Sequence, residues 1–98
     1  MWESGSLRVD FARGLATKAG QPMRLTATEF KILKTLYESR GKVVTIDELL
    51  RRVWGADVFL TDRVIYTHVN NLRAKMEPDP STPQIGVGVR GLGYRFDG

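Results

Sequence analysis

The chain has 98 residues, enough for one small domain that buries about two-thirds of the surface its unfolded form exposes. An apolar fraction of 42% and a charged fraction of 27% are those of an ordinary globular chain, and they exclude disorder or a multidomain enzyme. No apolar run approaches the ~20 residues of a membrane span, none follows Met1 as a signal peptide, and the lack of cysteine excludes disulfides and thiolate-held zinc. With His68 as the single histidine, no metal ion or cofactor is expected. Fifteen Lys and Arg against eleven Asp and Glu give a net charge of +4, which suits a polyanionic partner.

In chain order, Leu7-Arg8-Val9-Asp10, Gly14 to Thr17 and Pro22 to Leu25 are short β-like pieces, with Ala19-Gly20 as a turn between the last two. They predict a small antiparallel meander lying on something helical. Thr26 or Thr28 caps the next segment, where Ala27, Phe30, Ile32, Leu33, Leu36 and Tyr37 make one apolar helical face that ends at Gly41. Val43-Val44 reads as an extended link. Thr45 and Glu48 form a capping-box pattern for a second helix, carrying Ile46, Leu49, Leu50, Val53 and Trp54 and closed by Gly55. Leu33, Leu50 and Trp54 are the expected centres of the core.

Residues 55–61 are a loop, and a third helix follows from a Thr61 or Asp62 cap to about residue 77, where Pro78, Pro80 and Pro83 forbid more helix. Ile85, Val87, Val89, Tyr94 and Phe96 then flank Arg90-Gly91-Leu92-Gly93 as a β-hairpin. The expected fold class is α+β: a winged helix-turn-helix with strands before three helices and a hairpin wing after them.

Advancing about 100° per residue along the third helix puts Ile65, Val69, Leu72 and Met76 on one core-facing stripe. Arg63, Thr67, Asn70 and Ala74 fall opposite, Tyr66 and Asn71 flank them, and His68, Arg73 and Lys75 lie towards the edges. After Asp62 this outer face carries no acid. Asparagine amides can bond adenine edges, and arginine can reach guanine or phosphate. Arg90, at the hairpin tip, has the reach to enter a narrow minor groove, where negative potential is enhanced.

Two other chemistries fail on context. Gly86-Val87-Gly88-Val89-Arg90-Gly91 satisfies the dinucleotide fingerprint G-x-G-x-x-G, but no helix opens at its glycines. Ser4, Ser6, Ser39 and Ser81 lie in no nucleophile elbow, while capping or solvation explains Asp47, Glu48, Asp57 and Asp62. No enzyme is expected.

Four motifs together resemble a known family. Thr28-Glu29-Phe30-Lys31-Ile32-Leu33, Leu49-Leu50-Arg51-Arg52-Val53-Trp54-Gly55, His68-Val69-Asn70-Asn71-Leu72-Arg73-Ala74-Lys75 and Val89-Arg90-Gly91-Leu92-Gly93-Tyr94-Arg95-Phe96 are similar to the OmpR/PhoB-type effector domain. That is the C-terminal DNA-binding half of bacterial two-component response regulators, and the likeness runs from about Leu7 to Phe96.

The resemblance implies a four-stranded N-terminal sheet, a recognition helix in the major groove and a wing arginine in the minor groove. It implies phosphate contacts for Arg63, His68 and Arg73, and base-facing positions for Tyr66, Thr67, Asn70 and Asn71. Lys75 and Arg90 complete the expected DNA-binding set. Ala56, Asp57, Val58, Phe59, Leu60 and Thr61 match the loop that touches RNA polymerase in some members.

A receiver domain is expected N-terminal in a longer, cytoplasmic phosphorelay protein, with residues 1–5 as linker or cloning remnant and 6–98 as the domain. The domain is expected to be monomeric alone and paired on direct repeats of double-stranded DNA, with no membrane partner. This chain departs from the family at Tyr66, where an acid is common, and at Asn70 or Asn71, where arginine is common. It also carries Gly86-Val87-Gly88-Val89 in place of the usual Ile-x-Thr-Val. The competing class is a winged-helix protein-interaction module with little DNA affinity.

Overall fold

The computed structural model describes residues 1–55, 62–77, 79 and 81–98. It opens with a meander of β1 (Trp2–Ser4), β2 (Leu7–Asp10), β3 (Leu15–Lys18) and β4 (Gln21–Pro22), antiparallel in the order β1-β2-β3-β4. Side chains alternate across it. Trp2 pairs with Val9 and Val9 with Ala16, and these join Leu7 in the core. On the other face Arg8 lies opposite Glu3 and bonds it at 3.0 Å.

The segment expected as linker therefore contains a strand. Its anchor is the indole of Trp2, which is 8% exposed and meets Phe96 edge-on at 5.3 Å. Burying so large a ring offsets the cost of ordering polar Glu3 and Ser4.

Helix α1 (Ala27–Glu38) takes Thr26 as its cap: Thr26 Oγ1 accepts from Glu29 N, and Glu29 Oε1 accepts from Thr26 N at 2.8 Å. After β5 (Val43–Thr45), α2 (Ile46–Trp54) begins with Thr45 Oγ1 accepting from Glu48 N. The other half of that expected capping box is not made; the Glu48 carboxylate accepts from Arg52 at 3.4 Å. Helix α3 (Asp62–Met76) buries Ile65, Val69, Leu72 and Met76, the stripe its periodicity predicts. No described helix is long and apolar enough to cross a membrane.

The core needs one correction. Leu33 is fully buried, but α2 buries Leu49 and Val53 while Leu50 and Trp54 are half-buried at its margin. Ile46, Leu50 and Trp54 line one edge of that short helix at fourfold spacing, and the centre of its face lies beside them.

The hairpin of β6 (Val87–Val89) and β7 (Gly93–Arg95) turns through Gly91 at φ +77°, with Leu92 N donating to Val89 O at 3.0 Å. Val43-Val44 proves more than a link, because β5 pairs with β7 and makes a three-stranded sheet, β5-β7-β6. The glycines of the dinucleotide-like motif sit in this hairpin. This is a winged helix-turn-helix.

One tie between helices titrates. Glu29 on α1 is 1% exposed, and Lys75 Nζ on α3 lies 2.6 Å from its Oε1. Burial pushes this carboxyl up, but the bond and charge of Lys75 and the bonds from Thr26 outweigh it and hold it below the usual glutamate range. The native carboxyl thus binds its proton more weakly than the unfolded one. The stability it supplies is complete above the unfolded value and is lost as pH falls through the native one. Glu29→Gln should cost about 1.5–3 kcal/mol at neutral pH, the range for a hydrogen bond to a charged group. Urea unfolding across the acid range should then show a flatter decline for the variant than for the parent; parallel declines would contradict the assignment.

Candidate nucleic-acid interface

With its apolar stripe against α1 and α2, α3 presents Arg63, Tyr66, Thr67, Asn70, Asn71 and Ala74 to solvent. Asp62 is the helix's one acid, at its start. The Thr67 hydroxyl donates to Arg63 O at 3.0 Å, which fixes its rotamer and leaves its oxygen lone pairs available as acceptors. Tyr66 is 47% exposed, and its ring edge rests on Tyr94 of β7 at 6.4 Å. An aromatic thus links the outer face of α3 to the wing.

Arg90 is exposed in the hairpin turn beside Gly91. Between it and α3 lies an open cleft of about 680 Å³, bordered by Tyr66, Arg73, Arg90 and Tyr94 and also by Asp47 and Asp62. Such an open trough admits an extended polymer more readily than it encloses a metabolite. Among the described residues, no three of His, Cys, Asp and Glu lie close enough to hold a metal ion.

The expected site residues do not all converge on that face. His68 is half-buried, its ring 5.7 Å from Trp54. Lys75 turns to Glu29. Arg73 turns to the wing: its Nε lies 2.6 Å from Gly86 O, its Nη2 donates to the same oxygen, and the guanidinium stands 5.5 Å from the centre of the Tyr94 ring. The loop of Ala56, Asp57, Val58, Phe59, Leu60 and Thr61 lies outside the described residues.

One buried acid near this face was missed in the sequence. Glu77, 3% exposed just beyond α3, accepts N–H bonds from Gln84 at 2.8 Å, from Ile85, and from Gly86 at 3.4 Å. An acid at a helix C-terminus opposes the macrodipole, and that misplacement is the signal that could have found it.

Helices packed on a strand meander, with an exposed acid-poor helix beside a basic hairpin, define the class: a winged-helix DNA-binding domain. Residues 20–96 match the family described as "Transcriptional regulatory protein, C terminal". The chain belongs to that family, the OmpR/PhoB-type effector domains, which bind DNA in transcription regulation and are not enzymes.

Sensory transduction protein RegX3 of Mycolicibacterium smegmatis is 41% identical over 96 residues, covering 98% of this chain and 42% of RegX3. The response regulator DrrB of Thermotoga maritima, an OmpR/PhoB homolog, superposes with a TM-score of 0.88 at 33% identity, over 99% of this chain and 44% of DrrB. The Klebsiella pneumoniae RstA DNA-binding domain, solved in complex with the RstA box, gives a TM-score of 0.82 at 26% identity, over 97% of this chain and 94% of that one. The chain spans less than half the length of RegX3 and DrrB.

Proposed function

We propose that α3 enters the major groove of a specific double-stranded site while Arg90 of the wing enters the adjacent minor groove. The observation that carries this is a shared trough: Asp62 and Tyr66 of α3 border it together with the exposed Arg90, and Arg63, Thr67, Asn70 and Asn71 lie exposed on the same helix. Asn70 and Asn71 supply amides for base edges, and Arg63 is a backbone contact at the start of the helix. His68 and Lys75 stand on the other flank, engaged with Trp54 and Glu29. The RstA domain's solved complex with its box supports the DNA reading at the level of the whole fold.

The logarithm of the binding constant should fall linearly against the logarithm of salt, each phosphate neutralised contributing about −0.9 to the slope. Affinities for a selected duplex and for scrambled DNA separate the roles. Arg63→Ala should weaken both alike and flatten the slope by about one unit. Asn71→Ala should cost roughly 1–3 kcal/mol on the selected duplex alone. Equal weakening of both DNAs by Asn71→Ala, or no weakening of either, would refute the placement of α3.

The remaining proposals follow from the resemblance. A receiver domain precedes this one in a longer cytoplasmic regulator, and residues 56–61 offer a contact to RNA polymerase. The isolated domain is a monomer that pairs on direct repeats. Support for a longer protein comes from relatives more than twice this length.

A further inference from the structure

We propose that Arg73 is a positioning residue for the wing, seated in a slot that Gly86 and Gly88 leave open, rather than a contact to the DNA backbone. The proposal rests on the minor-groove reading of the wing given above and says what aims it.

Arg73 and Glu77 stand four residues apart, on one side of the α3 segment, at the spacing of an ion pair. Instead they grip the same residue of the wing root. The Arg73 guanidinium takes Gly86 O through Nε at 2.6 Å and through Nη2, while Glu77 Oε1 accepts from Gly86 N at 3.4 Å. Charge assistance makes such bonds stronger than neutral ones.

The glycines make room for this. A β-carbon on Gly86 would come within 3.3 Å of Val69 Cγ1 and 3.5 Å of Arg73 Nε, and one on Gly88 within 3.3 Å of Arg73 Nη2. Neither glycine has positive φ, so space and not backbone freedom is what they supply. Two residues apart on one strand path, they open towards the same side.

The wing needs such a tie. Strand β6 has three residues and lies at the edge of its sheet, paired only with β7. So short a ribbon has little core of its own to fix its direction. Arg73 bonds its root and covers Tyr94 of the neighbouring strand, at 5.5 Å. The angle between α3 and the Arg90 tip is thereby set from the helix.

A double-mutant cycle tests this. Affinity for one selected duplex is measured across salt for the parent, Arg73→Ala, Arg90→Ala and the pair. Arg73→Ala should reproduce most of the Arg90→Ala loss, and adding it to Arg90→Ala should change affinity by less than about twofold. Additive losses, with a further slope reduction of about one unit in the double variant, would mean that Arg73 meets phosphate directly and would overturn the proposal alone. An Arg90→Ala domain that binds like the parent would overturn the minor-groove reading and the proposal together.

Gly88→Val supplies an independent arm, because it crowds the slot, keeps the arginine and adds no polar group that could meet DNA. It should reproduce the Arg73→Ala loss of affinity. In the DNA-free domain it should also abolish the slow proton exchange expected at Arg73 Nε, seen by NMR. Parent-like binding or a retained slow Nε proton in Gly88→Val would overturn the proposal.

Discussion

Phe96→Ala is expected to lower the unfolding free energy by about 3–5 kcal/mol. The ring is 1% exposed near the chain's end, where Trp2 meets it edge-on at 5.3 Å and Tyr37 at 5.6 Å. Its removal opens a cavity between the first strand and the first helix, and it strips both neighbours of an aromatic partner. Domains of this size have about 5–15 kcal/mol in total, so the variant should be partly unfolded at body temperature or close to it. Urea titration of parent and variant gives the difference directly. A loss below about 1 kcal/mol would show that Phe96 does not hold the termini together. Trp54→Ala, by contrast, removes a half-buried ring from the margin of the core and should cost less than Phe96→Ala.

Gly93→Ala should be the most damaging single-methyl addition in the molecule. A β-carbon there would lie 2.9 Å from both Thr45 Cα and Val44 C and would run into the Val44 carbonyl oxygen. These obstacles are backbone, so no side chain can swing aside. Overpacking usually costs about 1–3 kcal/mol, and this site should reach at least the top of that range. Relief requires β5 to part from β7, and Thr45 at the end of β5 also caps α2. The neighbouring Gly91 makes a useful contrast. It has φ +77° with nothing within 4 Å of a β-carbon, so Gly91→Ala meets only the left-handed backbone cost of about 1–2 kcal/mol. Thermal melts of the two variants should place Gly93→Ala clearly lower; the reverse order would contradict the close strand approach.

Those two glycines show how far the sequence reaches. Both lie in a Gly-flexed hairpin tip, and nothing in their spacing reveals that one serves a turn and the other a strand crossing. Periodicity found the three helices and the buried stripe of α3, because four residues repeating one environment leave a pattern. Trp2–Ser4 left none: three residues, two of them polar, become a strand only through an aromatic contact with Phe96. Val43–Thr45 likewise needs β7 to become a strand.

Side-chain partners across the chain were the least legible part of the site. On a helical wheel Arg73 and Lys75 occupy the two edges of the exposed face as free cations. The fold gives one to a carbonyl of Gly86 and the other to buried Glu29, which lies 46 residues earlier. The exposure of Arg63, Asn70, Asn71 and Arg90 was legible because their surroundings are local: one helix face and one turn.

The contact between Trp2 and Phe96 also governs what light can report about this molecule. The chain has two tryptophans. Trp2 sits where the two chain ends meet, while Trp54 sits between α2 and α3 against His68. Chain ends open locally at lower free energy than helical cores. Intrinsic emission is therefore a sum of two signals from two depths of the structure, one sensing the seam of the termini and one the packing of α2 against α3. Replacing either indole with phenylalanine separates the two clocks.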